Sequence, residues 1–105
     1  MSYEIRRAPL ARKDIRDFIR YLKREAGEAA ARRYFEALEH DITRHLADNP
    51  HAFPWFRETG PPYRAKLFKL ARTTYWIVYA IDDEKKIIEL VRFWNSAREP
   101  RTHGL

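Results

Sequence analysis

The sequence predicts an α+β fold with the order strand–helix–helix–strand–strand–strand, in which a helical hairpin packs on one face of a mostly antiparallel sheet. Two observations predict it. Between residues 9 and 46, apolar side chains recur every three or four positions, the period of an amphipathic helix. Beyond residue 62 that period gives way to three runs rich in aromatic and β-branched residues, the composition of strands. One helical layer on one sheet is a standard way to bury both apolar surfaces. With 105 residues, 45% of them apolar and 14% aromatic, the chain has material for one core and one domain, spanning 1–105.

The elements follow in order. "YEIRRA" is short and partly alternating, with Tyr3 and Ile5 on one face, and reads as a first strand. Pro9 suits the first turn of a helix, and Ile15, Phe18, Ile19 and Leu22 form its apolar stripe over about four turns. Asp14 and Asp17 lie in its N-terminal half, and Gly27 is placed to cap its C-terminus. A second helix starts near Glu28, with Ala31, Tyr34, Phe35, Leu38, Ile42 and Leu46 as its stripe, and "DNP" ends it because Pro50 disfavours helix in the preceding residue. So short a link makes the two helices an antiparallel hairpin. Residues 49–62 hold four of the six prolines and form a loop, in which at least one of Phe53, Trp55 and Phe56 is expected to pack on the core edge. "YRAKLFKLA", "TTYWIVYAI" and "KIIELVRFWN" are the remaining strands, joined by "LARTT" and the charged "DDEKK" turn. Tyr75 to Ile81 is apolar on both faces, as a central strand should be. Phe93 and Trp94 close the last strand, with at least one of them packed.

Composition narrows the function classes. The chain has no cysteine, which removes disulfides, thiol chemistry and Cys-based metal sites. No apolar run approaches the roughly 20 residues of a membrane span, and "MSYEIRRAP" lacks a signal peptide's apolar region, so a soluble, cytoplasmic protein without a membrane partner is expected. The net charge is +6, unevenly placed: residues 1–62 carry 12 basic and 10 acidic side chains, residues 63–105 carry 9 and 5. Such clustering suits a polyanion or an acidic protein as partner, although solubility alone also accounts for a charge of this size.

The candidate site residues lie in the C-terminal half. Arg64 and Lys66, two apart, share one face of their strand, with Lys69 and Arg72 near its far end and Tyr63 and Phe68 beside them. This is either a phosphate-binding surface with an aromatic platform or an ordinary wet sheet face. Arg92 falls on the last strand, with Ile88, Leu90 and Trp94 on its face by simple alternation, and Arg98 follows the strand. Each needs an anion or a partner, for which Glu99 and Glu58 are candidates for Arg98. The four histidines show no metal-ligand spacing, and His40 and His45, five apart, are expected on different helix faces. Thr73, Thr74 and Ser96 lack a visible His/Asp constellation, three glycines make no phosphate loop, and Asp82 and Asp83 read as solubilising turn residues. No metal or cofactor is expected.

Four segments together carry a family resemblance: "APLARKDIRDFIRYL", "LADNP", "YWIVYAIDD" and above all the closing "LVRFWNSAREP". Their order and spacing, over nearly the whole chain, resemble the RelE/ParE superfamily of toxins from type II toxin–antitoxin systems, on the ParE-like side. The resemblance implies a cytoplasmic growth-arresting toxin, of the kind tied to plasmid stabilisation, with a cognate antitoxin as partner whose C-terminal, acidic segment wraps it. ParE-like members poison DNA gyrase; RelE-like members cleave messenger RNA in the ribosome. Arg64 and Lys66 match the paired basic residues of the RelE-type sheet, with Arg72 and Arg98 as further RNA-holding candidates. Trp76 stands where the RelE pattern has Arg, and Asn95 where a titratable His is commoner. Asn cannot transfer a proton, which RNA cleavage by 2′-hydroxyl attack requires. The reading is therefore a non-enzymatic, ParE-like gyrase inhibitor, with target or partner binding by Arg64, Lys66, Lys69, Arg92, Trp94 and Arg98. The alternatives are a ribosome-dependent ribonuclease and an inactive basic module that only binds an acidic antitoxin.

Overall fold

The computed structural model describes residues 2–97. The elements run β1 (Glu4–Arg7), α1 (Pro9–Ala26), α2 (Glu28–His40), a π-helical segment (Asp41–Leu46), a 3-10 turn (Pro50–Ala52), β2 (Tyr63–Leu70), β3 (Thr73–Asp82) and β4 (Ile87–Asn95). The strand order is β1-β4-β3-β2. β3 pairs antiparallel with both neighbours, and β1 joins parallel to β4, with Glu4 opposite Ile87 and Arg7 opposite Leu90. The α+β architecture and element order agree with the pattern in the sequence.

The helical stripes do most of the burying. Ile15, Phe18 and Leu22 of α1 and Ala31, Leu38, Ile42 and Leu46 pack against Phe68, Tyr75, Ile77, Tyr79, Ile88, Leu90 and Phe93 of the sheet. Each fully buried leucine or isoleucine here contributes about 1.5–3 kcal/mol over exposure. Phe35 departs from its assigned stripe. It is 37% exposed, because the small Ala30 and Ala31 occupy the contact with α1 and leave the larger ring on the flank. Gly27 separates the helices at φ 90°, a conformation that favours glycine, and its N–H bonds the Lys23 carbonyl.

The second helix underwinds at its C-terminal end, where the apolar period predicts regular α-helix. The Thr43 hydroxyl donates to the Glu39 carbonyl at 2.8 Å, diverting a ladder acceptor, and the chain continues as a π-helical segment over Asp41–Leu46. At about five residues per bond-closed turn, His40 and His45 come together, their ring centroids 6.1 Å apart. The expectation of different faces is thus corrected.

A second core lies on the sheet's opposite face, built by the proline-rich loop. Phe56 is 1% exposed and packs with Ala65, Val78, Val91 and Trp94. The loop is pinned to the β2 edge by the Phe56 N–H donating to the Tyr63 carbonyl (2.8 Å) and the Ala65 N–H donating to the Pro54 carbonyl (3.1 Å). The Pro61–Pro62 peptide is cis. Phe56 therefore covers part of the face that the helices leave open, while Phe53 packs against the helix-side core and Trp55 stays 48% exposed.

One register irregularity re-aims β4. Between Val78 and Tyr79 the partner on β4 jumps from Arg92 to Leu90, leaving Val91 as the extra residue of a bulge. Ile88, Leu90 and Phe93 then face the helices, while Val91 and Trp94 face the loop. Strict alternation, which put Trp94 beside Ile88 and Leu90, fails at that residue. The β3–β4 turn is also more than a solubilising link: Asp83 accepts a hydrogen bond from the Tyr3 hydroxyl (2.8 Å) and pairs with His51 (3.0 Å), and Asp82 accepts from the Lys85 N–H (3.0 Å).

Candidate functional site

β1 ends opposite Leu90, so the outer edge of β4 beyond it has no strand neighbour among the described residues. α1 crosses there and leaves a cleft of about 490 Å³ lined by Asp14, Asp17, Phe18, Arg20, Tyr21, Arg24, Tyr75, Arg92, Phe93, Trp94 and Asn95. Its floor is aromatic: Phe18 meets Tyr75 and Phe93 edge-on at 4.8 and 5.1 Å, and Tyr75 stacks on Phe93 at 5.2 Å. Its rim carries the exposed cations Arg20 and Arg24 of α1, with the exposed Tyr21 ring between them. An apolar floor with a charged rim is the usual make-up of a binding cleft.

One wall is an ion pair. Asp14 accepts from Arg92 Nε at 2.7 Å and from Nη2 at 3.1 Å, and also from the Phe93 N–H at 2.9 Å. The carboxylate thus satisfies a strand-edge donor that no neighbouring strand reaches. Both side chains are largely enclosed, 16% and 14% exposed, and the fork geometry fixes the cleft's mouth. Asp17, next along α1, pairs with Lys13 at 2.9 Å and Arg20 at 3.7 Å. The Lys13 hydrogen bond holds its carboxyl below the ordinary range.

The basic residues of β2 do not form one open cluster. Arg64 donates to the Phe53 carbonyl at 2.6 Å and lies 3.9 Å over the Trp55 ring. Lys66 pairs with Asp41 at 2.7 Å, with 12% and 15% of the two side chains exposed, and sits 5.3 Å from the Phe53 ring. Both cations therefore anchor the loop and the π-helical segment to the sheet edge. Lys69 and Arg72 are exposed at the β2–β3 end. Arg98, with its candidate partner Glu99, lies outside the described residues.

The loop-side face carries an aliphatic–aromatic row in register, Leu67 opposite Trp76 and Trp76 opposite Trp94. Leu67 is 48% exposed, Trp76 half-buried and Trp94 buried. Asn95 ends the strand: its Oδ1 accepts from the Ala97 N–H at 2.8 Å, while the Ser96 N–H donates to the Thr74 carbonyl. The Tyr79 hydroxyl donates to the Pro50 carbonyl at 2.6 Å, and burial pushes this phenol well above its ordinary range. Among the described residues, no group of three or more His, Cys, Asp or Glu is arranged to hold a metal, and no helix is long and apolar enough to cross a membrane.

Of the sequence-predicted residues, the structure brings Arg92 and Trp94 to the cleft, places Lys69 at the sheet's open end, and ties Arg64 and Lys66 into internal contacts. It adds Asp14, Arg20, Tyr21, Arg24 and Tyr75. The signal that could have found Arg20, Tyr21 and Arg24 is the helical wheel of α1, which sets them apart from the apolar stripe.

Comparison with known proteins bears on the family and the fold. The model of a family described as the ParE toxin of type II toxin–antitoxin systems, parDE, matches residues 5–100. No curated protein matches the sequence. Among solved structures, the chromosomal ParDE system of P. aeruginosa superposes with a TM-score of 0.70 at 13% identity, covering 90% of this chain and 96% of that one. The RelBE2 toxin–antitoxin complex of Mycobacterium tuberculosis superposes with 0.62 at 22% identity, covering 90% and 99%. A mutant of the E. coli toxin RelE in the free state gives 0.54 at 19% identity, covering 93% and 88%. At these identities the structural likeness is one of fold.

Proposed function

Because this chain belongs to the ParE toxin family of type II toxin–antitoxin systems, we propose that it arrests growth by binding and inhibiting DNA gyrase, without cleaving RNA, and that a cognate antitoxin neutralises it. The observation that carries this reading is the engagement of the sheet's basic residues. Arg64, Lys66 and Arg92, which a nuclease would aim at a scissile phosphate, hold Phe53, Asp41 and Asp14. Asn95, near the end of the same strand, caps a turn and cannot transfer a proton. Phosphodiester cleavage needs both charge stabilisation and proton transfer; binding to a protein target needs neither.

The antitoxin's docking place is the cleft between α1 and the bare edge of β4. Its aromatic floor accepts apolar anchors, and Arg20 and Arg24 steer an acidic segment toward it. The solved RelBE2 structure, a toxin–antitoxin complex, is consistent with such a partner. A cytoplasmic setting follows from the target.

The test is induced expression of the chain without its antitoxin, followed by a gyrase supercoiling assay and primer extension on translated messages. Arrest with inhibited supercoiling and intact messages is the expected result. Messages cut within codons beside unaffected gyrase would replace this reading with the ribonuclease one. Normal growth with folded protein present would leave only an antitoxin-binding module.

A further inference from the structure

α1 separates its residues by charge as well as by polarity. At about 100° per residue, every residue after Pro9 within one sector of about 120° is a cation: Arg12, Lys13, Arg16, Arg20, Lys23 and Arg24. All six are exposed. The buried Ala11, Ile15, Phe18 and Leu22 lie on the opposite side. The helix's three acids fall outside the sector, on the flank toward the cleft and beyond it. Asp14 is held by Arg92, Asp17 borders the sector and pairs with Lys13 and Arg20, and Glu25 lies 3.9 Å from Arg24. From Arg12 to Arg24 the row extends about 18 Å along a straight helix.

We infer that this face of α1 binds the phosphate backbone of duplex DNA, independently of sequence. Three features favour that partner. The face is a straight row of charge, and duplex DNA is a stiff rod with one negative charge per roughly 1.7 Å of axis. Four of the six cations are arginines, whose planar forks suit phosphate oxygens. Beyond Pro9 at its start, the sector holds no aromatic or aliphatic residue. A folding peptide or a membrane surface needs such an anchor beside its charges, whereas a phosphate backbone is held by charge alone. The exposed apolar residues of α1, Leu10 and Tyr21, lie beyond the sector's edge on the far side from Ile19. The inference does not rest on the gyrase reading: binding is measured with gyrase absent, so either can fail while the other stands.

The experiment measures fluorescence anisotropy of a labelled 20-base-pair duplex against the purified full chain, from 50 to 200 mM salt. Parallel arms use a single-stranded RNA of equal length and vesicles containing anionic lipid. The expected result is duplex binding insensitive to base sequence, with log affinity falling against log salt at a slope of about −4 to −5, as for four to six neutralised phosphates. Replacing Arg12→Gln, Arg16→Gln and Lys23→Gln together, three cations that do not line the cleft, should weaken binding at least tenfold and flatten the slope by about 3. Glutamine keeps helix propensity close to that of arginine and lysine, and an unchanged circular dichroism spectrum confirms the fold. A control removes the same charge elsewhere with Arg33→Gln, Arg44→Gln and Arg57→Gln, and should bind nearly as well as the parent. Equal losses in the two triple variants, no duplex binding at 50 mM salt, or a preference for the RNA or the vesicles would each overturn the inference.

Discussion

Arginine and lysine occupy two opposed settings in this molecule. On the sheet, Arg64, Lys66 and Arg92 sit in strands whose neighbours are aromatic and aliphatic, and each is held by a specific oxygen at 2.6–2.7 Å. On α1 the six cations are exposed, and the contacts they make, Arg12 to the Arg7 carbonyl, Lys13 and Arg20 to Asp17, and Arg24 to Glu25, lie at the surface. Enclosure explains the difference. A charge shielded from water is tolerated only when paired, so the strand cations become structural ties. The helix cations face no such demand: their pairs are solvent-exposed and weak, so an outside anion can compete for them. Position in the fold, more than residue type, decides which cations bind something outside the chain.

That contrast can be broken first at Asp14. Asp14→Ala leaves Arg92 enclosed without its carboxylate and the Phe93 N–H without its acceptor; urea unfolding should show a loss of about 3 kcal/mol. A loss under 1 kcal/mol would mean that the cleft wall is already wet. The double change Asp14→Leu with Arg92→Met should recover much of the loss, since removing both charges also removes the desolvation penalty. Next comes Asp41→Ala, which strands Lys66; its long stem lets the ammonium reach solvent, so about 1–2 kcal/mol is expected from the same measurement. Arg64→Ala loses a hydrogen bond and a stacked ring, and should cost about 1–2 kcal/mol and shift Trp55 fluorescence. At the other pole, Arg16→Gln should change stability by less than about 0.5 kcal/mol; a larger loss would show that the α1 face is part of the scaffold.

The smallest effect is one of pH. The Tyr3 hydroxyl and then His51 hydrogen-bond Asp83 and hold its carboxyl below the ordinary value of 3.8. A carboxyl that is more acidic in the folded state stabilises the fold above its unfolded value, and that contribution is lost as pH falls through the folded one. Asp83→Asn should therefore lower stability slightly at neutral pH and leave it less sensitive to acid below about pH 4. Parallel acid titrations of parent and variant would contradict this.

The architecture was legible because each helix wrote a periodic stripe, and Phe18, Leu22, Leu38, Ile42 and Leu46 are buried as that stripe requires. The second core was only half legible. Phe56 was recognisable as too apolar for solvent, but nothing local says which face of the sheet it covers. The bulge at Val91 and the π-helical segment escaped periodicity because both depend on one extra residue, and one residue reverses a strand face or turns a helix by about 100°. In the site, the cations were visible and their partners were not. Arg92 and Asp14 are 78 residues apart, and only the fold brings them together.

The parallel pairing of β1 with β4 also sets an order of events. Glu4 meets Ile87, so the first strand has no place in the sheet until the helices, β2 and β3 have all been made. At about 5–20 residues per second of synthesis, the interval is on the order of ten seconds. In that interval α1 and α2 can pair and β2 and β3 can form their hairpin, since both sets of contacts are local, but Leu90 and Phe93 are not yet beneath the helices. The cleft appears only when β4 docks. A chain made only as far as β3 thus has no finished cleft.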